Sequence, residues 1–236
     1  MVCLRMSAFK NMRTTPNMLD AIPSQAVQAY LKLEEMIVKA TLAPGARVSE
    51  KMLSEMTGFG RTPIREALQR LAAEGTVRIV PRSGVIISEI DITEQLHLIE
   101  VRRELEKMLA GRAARLASMD ERAEFSALAV RFRKAAENGG DAELFIPTDH
   151  VFNDLVVACA HNKYALFAMS PIQAQTRRFW FMYFRRFGDL SRVSNLHADM
   201  ADAIASGDEA AARQAADALV DYVEQYTRRT LDALCS

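Results

Sequence analysis

Two pairs of arginines carry the sharpest chemistry in this 236-residue chain. Arg61 and Arg65 stand four residues apart at the start of a helical pattern, so their guanidinium groups project together from one end of a helix face. That is the end of a helix that enters a DNA groove, where an arginine releases counterions at a phosphate or grips a guanine through two hydrogen bonds. Arg177 and Arg178 sit instead among large aromatics: Phe167, Phe179, Trp180, Phe181, Tyr183 and Phe184. An arginine between apolar walls favours an anionic ligand, because its charge needs a partner and its fork matches the two oxygens of a carboxylate. Since the two are adjacent, one is expected inside and the other in solvent; Arg178 is assigned the inside place. Most of the aromatics read as core or dimer packing.

Asp149, His150 and His197 supply acid and imidazole groups, and a metal-dependent enzyme built on this Asp/His cluster is the alternative function. No nucleophile–base pair, glycine-rich phosphate loop or complete metal constellation accompanies them. The three cysteines, Cys3, Cys159 and Cys235, are odd in number and far apart, which fits neither a zinc motif nor a secreted disulfide framework. The first twenty residues carry Arg5, Lys10 and Arg13 without an apolar run, so a signal peptide is not expected. No uncharged apolar stretch reaches the length of a membrane span. The expectation is a cytoplasmic protein with no membrane partner.

The elements that must position these residues follow from periodicity and punctuation. Half the residues are hydrophobic, enough for a sizeable core. Ala26, Tyr30, Leu31, Leu33, Glu34 and Ile37 form one stripe of a first helix, ended by the turn Leu42-Ala43-Pro44-Gly45. Ser49 caps a short second helix to about Met56, with Leu53 and Met56 inward. Thr57-Gly58-Phe59-Gly60 is a tight turn. Thr62 then caps, and Pro63 opens, a third helix that runs through Ile64, Ala67, Leu68 and Leu71 to Gly75. Two β-type runs, Thr76–Val80 and Val85–Ser88, flank Pro81-Arg82-Ser83-Gly84 as a hairpin with a basic tip. Helix, short helix, turn, helix, hairpin is the order of a winged helix-turn-helix.

Beyond a linker at Glu89–Thr93 the pattern is helical throughout, with breaks at Gly139-Gly140, Asn162, Gly188 and Gly207. Helices are predicted over 93–118, 120–137, 142–160, 163–187, 190–206 and 208–234, and no strand after residue 90. The fold class is therefore mainly α: a flexible N-terminal arm (1–22), a winged helix-turn-helix DNA-binding domain with a small β-hairpin wing (23–90), and an all-α helical bundle (94–234).

Charge follows the same division. The chain as a whole balances 30 Lys and Arg against 30 Asp and Glu. Residues 1–90 hold 12 basic and 8 acidic side chains, and the remainder 18 and 22. Net neutrality is thus a basic head cancelled by an acidic body, and it does not argue against DNA binding. Five of the head's basic residues, Lys51, Arg61, Arg65, Arg70 and Arg82, fall in the helix-turn-helix and wing.

These residues carry a resemblance. Leu42 to Glu50 is similar to the "PG..L.E" stretch of the GntR superfamily of bacterial transcription regulators, and Gly60-Arg61-Thr62-Pro63-Ile64-Arg65-Glu66-Ala67-Leu68 resembles its "SRTPVREAL" signature. The helical remainder resembles the FadR-type subfamily with its FCD effector domain, through Glu100 to Glu106, Asp149 to Asn153 with Asn162, His197, and Ala203 to Asp208. The resemblance implies a ligand-responsive regulator that binds a palindromic stretch of double-stranded operator DNA as a homodimer, repression being the commoner outcome. It assigns DNA contacts to Lys51, Arg61, Thr62 and Arg65 and to the wing tip, Arg82 and Gly84. Phe59 and Gly60 depart from the family's usual valine and hydroxyl residue; Phe59 reads as core packing, and Gly60 removes one phosphate hydrogen bond.

For the bundle the resemblance implies a cavity lined by Arg102, and in many relatives a divalent metal held by an Asp-x3-His pair and two further histidines. Asp149 and His197 match that set; Asn153 and Leu219 stand where two histidines should be. No cofactor is certain: zinc, nickel or manganese at Asp149 and His197 is one alternative, and a metal-free pocket is the other. Arg102, Asp149, Asn153, Arg178 and His197 are the candidate effector-binding residues, and a small organic acid is the expected effector.

Overall fold

The computed structural model describes residues 24–235; the arm expected at 1–22 lies outside the described residues. The first helix, α1 (Gln25–Val38), begins where the Ser24 hydroxyl accepts a hydrogen bond from the Val27 N–H. Its stripe is buried at Tyr30, Leu33, Glu34 and Ile37 as periodicity predicts, but Leu31 lies outside it, 43% exposed. α2 (Glu50–Thr57) is capped by Ser49 and closed by Gly58 in the left-handed conformation. Leu53 points inward, whereas Met56, expected beside it, is 44% exposed.

Helix α3 (Arg61–Ala73) starts two residues earlier than predicted. Gly60, not Thr62, is its N-cap, and no side chain caps it. Ile64, Ala67, Leu68 and Leu71 are buried against α1. The wing is the antiparallel hairpin of β2 (Val77–Val80) and β3 (Gly84–Ile87). A third strand escaped the sequence: β1 (Arg47–Val48) pairs with β3, Arg47 opposite Ile86 and Val48 opposite Val85, giving the order β1-β3-β2. Two residues are too few to show a period of two.

Six long helices follow: α4 (Ile92–Leu116), α5 (Met119–Ala136), α6 (Ala142–Cys159), α7 (Lys163–Phe187), α8 (Leu190–Ser206) and α9 (Glu209–Cys235). Local chemistry sets their starts. Asp91, Asp141 and Asp189 each accept backbone N–H bonds at an N-cap, and Ser118 with Glu121 forms a reciprocal capping box. α4 packs along α9 and α5 along α8, and α8 against α9 joins the two layers.

The apolar residues form two separate cores. One, around Leu33, Ile64, Leu68, Leu71 and Val85, lies within the head. The other, around Phe125, Phe132, Phe152, Phe179, Ile204 and Tyr226, lies within the bundle. α7 is the helix that touches both bodies, packing on α4 and α9 and also on α1.

Candidate DNA interface and ligand cavity

On the head, Lys51, Arg61, Thr62, Arg65 and Arg82 are all exposed. Arg65 is held by Glu50 through three hydrogen bonds of 2.8 to 3.2 Å, which aim its fork along the start of α3. The Arg65 hydrogen bonds hold the Glu50 carboxyl below its usual range. Lys51 lies 3.8 Å from Glu55. With a glycine cap, the first turn of α3 keeps N–H groups that no side chain occupies, the kind of terminus that receives a phosphate oxygen. Phe59 is half-buried against the head's core, consistent with its reading as packing.

Gly84 has a positive φ of +95°, and a Cβ there would meet the Val48 carbonyl oxygen at 2.7 Å. The glycine is therefore required by the approach of β1 to the wing. Arg70, counted with the basic residues of the head, turns back instead. Its guanidinium stacks 3.6 Å from the centre of the Tyr30 ring and pairs with Glu74 at 3.2 Å.

In the bundle, Arg102, Phe145, Asp149, Asn153, Gln173, Arg177, Trp180, Phe181 and His197 line a cavity of about 630 Å³, open mouth included. α6, α7 and α8 bring the polar groups together. His197 Nε2 lies 3.2 Å from Asp149 Oδ1, and its Nδ1 lies 2.8 Å from the Val193 carbonyl. Phe132, Phe145 and Phe152 surround the imidazole with ring centres 5.0 to 5.9 Å away. Asn153 donates to Asp149 and accepts from Gln173 at 2.9 Å. Burial alone would raise the Asp149 carboxyl; the His197 hydrogen bond and the His197 and Arg177 charges outweigh it and hold the group well below the ordinary carboxylate range.

Arg102 does line the cavity, but its fork is taken by Glu106 one turn on, at 2.6 and 3.3 Å. Arg178, expected in the cavity, is not there. It is buried at 2% exposure and donates to the Ser88 carbonyl at 2.6 Å, at the end of the wing. Of the adjacent pair, Arg177 is the one that lines the cavity. The expectation that one of the pair is solvated also fails, since neither is exposed: helix α7 is covered by the bundle on one side and by the head on the other. Of the aromatics, Trp180 and Phe181 line the cavity, Phe179 lies in the core, and Phe167 is 82% exposed.

The metal alternative was tested on the donor set. Asp149 and His197 are correctly juxtaposed, but the Asn153 amide is already bonded on both sides and Leu219 is a fully buried leucine. Among the described residues no group of three or more His, Cys, Asp or Glu could hold an ion. A tight site needs at least three protein donors, so these residues do not fit a zinc-type centre. His150 turns away toward Glu34, at 3.9 Å.

Sequence reasoning missed the junction between the two bodies. Glu34 of α1, buried in the structure, forms an ion pair with Arg177 Nη1. Glu74, also buried, accepts hydrogen bonds from Tyr30 and from Ser170 of α7, and Gln175 donates to its carbonyl at 3.1 Å. The available signal was Glu34 itself, a charge standing on an otherwise apolar stripe.

Comparison with known proteins places these features. Residues 25–87 match the family described as bacterial regulatory proteins, gntR family, and residues 97–222 match the FCD domain. The chain is 28% identical over 146 residues to the HTH-type transcriptional regulator YdhC of Bacillus subtilis (strain 168), a match covering 62% of this chain and 65%, just under two thirds, of that one. It is 27% identical over 195 residues to the HTH-type transcriptional repressor RspR of Escherichia coli (strain K12), covering 82% and 85% of the two. Among solved structures, E. coli McbR/YncC has the same fold, with a TM-score of 0.73 at 20% identity over 89% of this chain and 100% of that one.

Proposed function

We propose a function on the premise that this chain belongs to the gntR family of bacterial regulatory proteins and carries the FCD domain: it is a transcriptional regulator, and its helical cavity receives a small organic acid that changes its affinity for DNA. The families and relatives are regulators, so the metal-dependent enzyme falls away. Residues 23–90 act as the reading head and 94–234 as the sensing and dimerising body. Two heads on a two-fold dimer would meet a palindromic operator in the cytoplasm, with repression as the outcome, as in the name of RspR. Among the described residues no helix is long and apolar enough to cross a membrane.

One observation carries the DNA reading: Lys51, Arg61, Thr62, Arg65 and Arg82 are exposed together on the helix-turn-helix and wing. Arg61 would read base edges, Lys51, Thr62 and Arg65 would hold phosphates, and Arg82 would reach from a wing shaped by Gly84. Gel shifts with the protein's own promoter across a salt series test this. Binding should weaken steeply with salt and be reduced in Arg61→Ala and Arg65→Ala. Equal binding by wild type and both variants would sink it.

For the effector, the supporting observation is a cavity lined both by Arg102, Asp149, Asn153, Arg177 and His197 and by Phe145, Trp180 and Phe181. That pattern suits a carboxylate with an apolar or aromatic body. No step is assigned to a metal, because the donor set does not fit one. Calorimetric titration against organic acids and their amides tests the class; tight binding of the amides alone would reject it.

A further inference from the structure

We propose that an anionic ligand in the cavity loosens the head by drawing Arg177 away from Glu34. The inference rests on the carboxylate reading above and adds two things to it: the cation that takes the ligand and the tie that the ligand breaks.

The two cavity arginines are not equally available. Arg102 already spends its fork on Glu106. The Arg177 side chain is 15% exposed, but its Nε is buried and has no hydrogen-bond partner. Asp149 Oδ2 approaches that nitrogen only to 3.8 Å. A buried N–H left unpaired costs free energy, so a ligand oxygen at this nitrogen supplies what the free protein lacks. The same guanidinium is bonded through Nη1 to Glu34, which belongs to α1 of the head. One cation thus serves the cavity on one side and the head on the other.

A ligand carboxylate beside Arg177 makes three anions around one guanidinium: the ligand, Asp149 and Glu34. Repulsion between them is strong where water is scarce. Asp149 is anchored by His197 and Asn153 and stays. Beside Glu34, at 3.9 Å, stands the His150 imidazole, which burial and the Arg177 charge push toward its neutral form, and Glu34 is carried by a body with its own separate core. Glu34 is therefore the group that gives way, and α1 moves with it.

Linkage makes this testable from both ends: if the ligand weakens the Glu34 tie, removing the Glu34 charge must strengthen the ligand. Trp180, the single tryptophan of the chain, lines the cavity and reports occupancy by its fluorescence. The probes are benzoate and its uncharged isostere benzamide, added to the full chain. Benzoate should bind E34Q about tenfold more tightly than wild type, with E34D between them. In wild type, benzoate should speed hydrogen exchange across residues 25–38; in E34Q that exchange should already be fast and should not respond. Benzamide should do neither. Equal benzoate affinity in wild type and E34Q, or unchanged exchange in wild type at saturating benzoate, overturns the coupling while leaving the carboxylate reading intact. Failure of benzoate to bind either protein overturns the carboxylate reading, and the coupling falls with it. The wild-type exchange measurement needs no variant, so a folding defect in E34Q does not shelter the proposal.

Discussion

Arg65 and Arg177 are each paired with a glutamate, and the two pairs behave as different chemical objects. Arg65 and Glu50 are 63% and 35% exposed; Arg177 and Glu34 are 15% and 4% exposed. In the head, water already solvates both partners, so the arginine can exchange its glutamate for a DNA phosphate at little cost. At the junction both charges have left water, and each depends on the other for compensation. The same residue types give an adaptable reading surface in one place and a fixed tie in the other. What differs is burial, which comes from α7 lying between the two bodies.

The largest expected effect breaks the buried member. Arg177→Met strands the Glu34 carboxylate and should lower stability by about 3–5 kcal/mol in urea unfolding, while Glu34→Met/Arg177→Met together should recover most of the loss. Arg65→Met should leave the unfolding midpoint where it is. If both single variants lose equally, the contrast between the pairs is false.

Leu71→Ala sharpens the division into two cores. The cavity it leaves in the head should cost about 2–5 kcal/mol. Two spectroscopic probes should show that loss in the head, with the Trp180 signal of the bundle unfolding at its original midpoint. Arg65→Ala acts on the exposed side alone: DNA affinity should fall by roughly ten- to a hundredfold, and the slope of log affinity against log salt should shrink by about 1, read by anisotropy.

The smallest effect is in acid. Asp149 is held below its ordinary range in the folded state, so its contribution is present above its unfolded pKa, about 4, and is lost as pH falls toward the folded value. The stability gap between wild type and Asp149→Asn should therefore narrow as pH drops below about 5, measured by thermal unfolding across a pH series. Asp154, raised by burial, works in the opposite sense and blunts the wild-type decline.

Much of this architecture is legible in the sequence, because local chemistry sets it. Ser24, Ser49, Asp141 and Asp189 start helices as capping residues, and Gly58 and Gly207 end them in the left-handed conformation. What was not legible depends on partners far away in the chain. Arg70 is one turn from Glu74, but the ring that draws it off the reading face is Tyr30, on another helix. The choice between Arg177 and Arg178 turns on Glu34 and Ser88, about 140 and 90 positions earlier. Thr62 lost the cap of α3 because Gly60 already adopts the extended backbone that a cap requires.

The junction has a mechanical meaning as well. Among the described residues, hydrogen bonds and ion pairs of the side chains named above hold the head to the bundle at three places: Glu34 by Arg177, Glu74 by Ser170 and Gln175, and Ser88 by Arg178. A rigid body held at three points is immobile, whereas one held at two can only turn about the line that joins them. Opening the first contact would turn a three-legged mount into a hinge whose axis runs from Ser88 to Glu74. Helix α3 would then sweep an arc whose length is set by its distance from that axis.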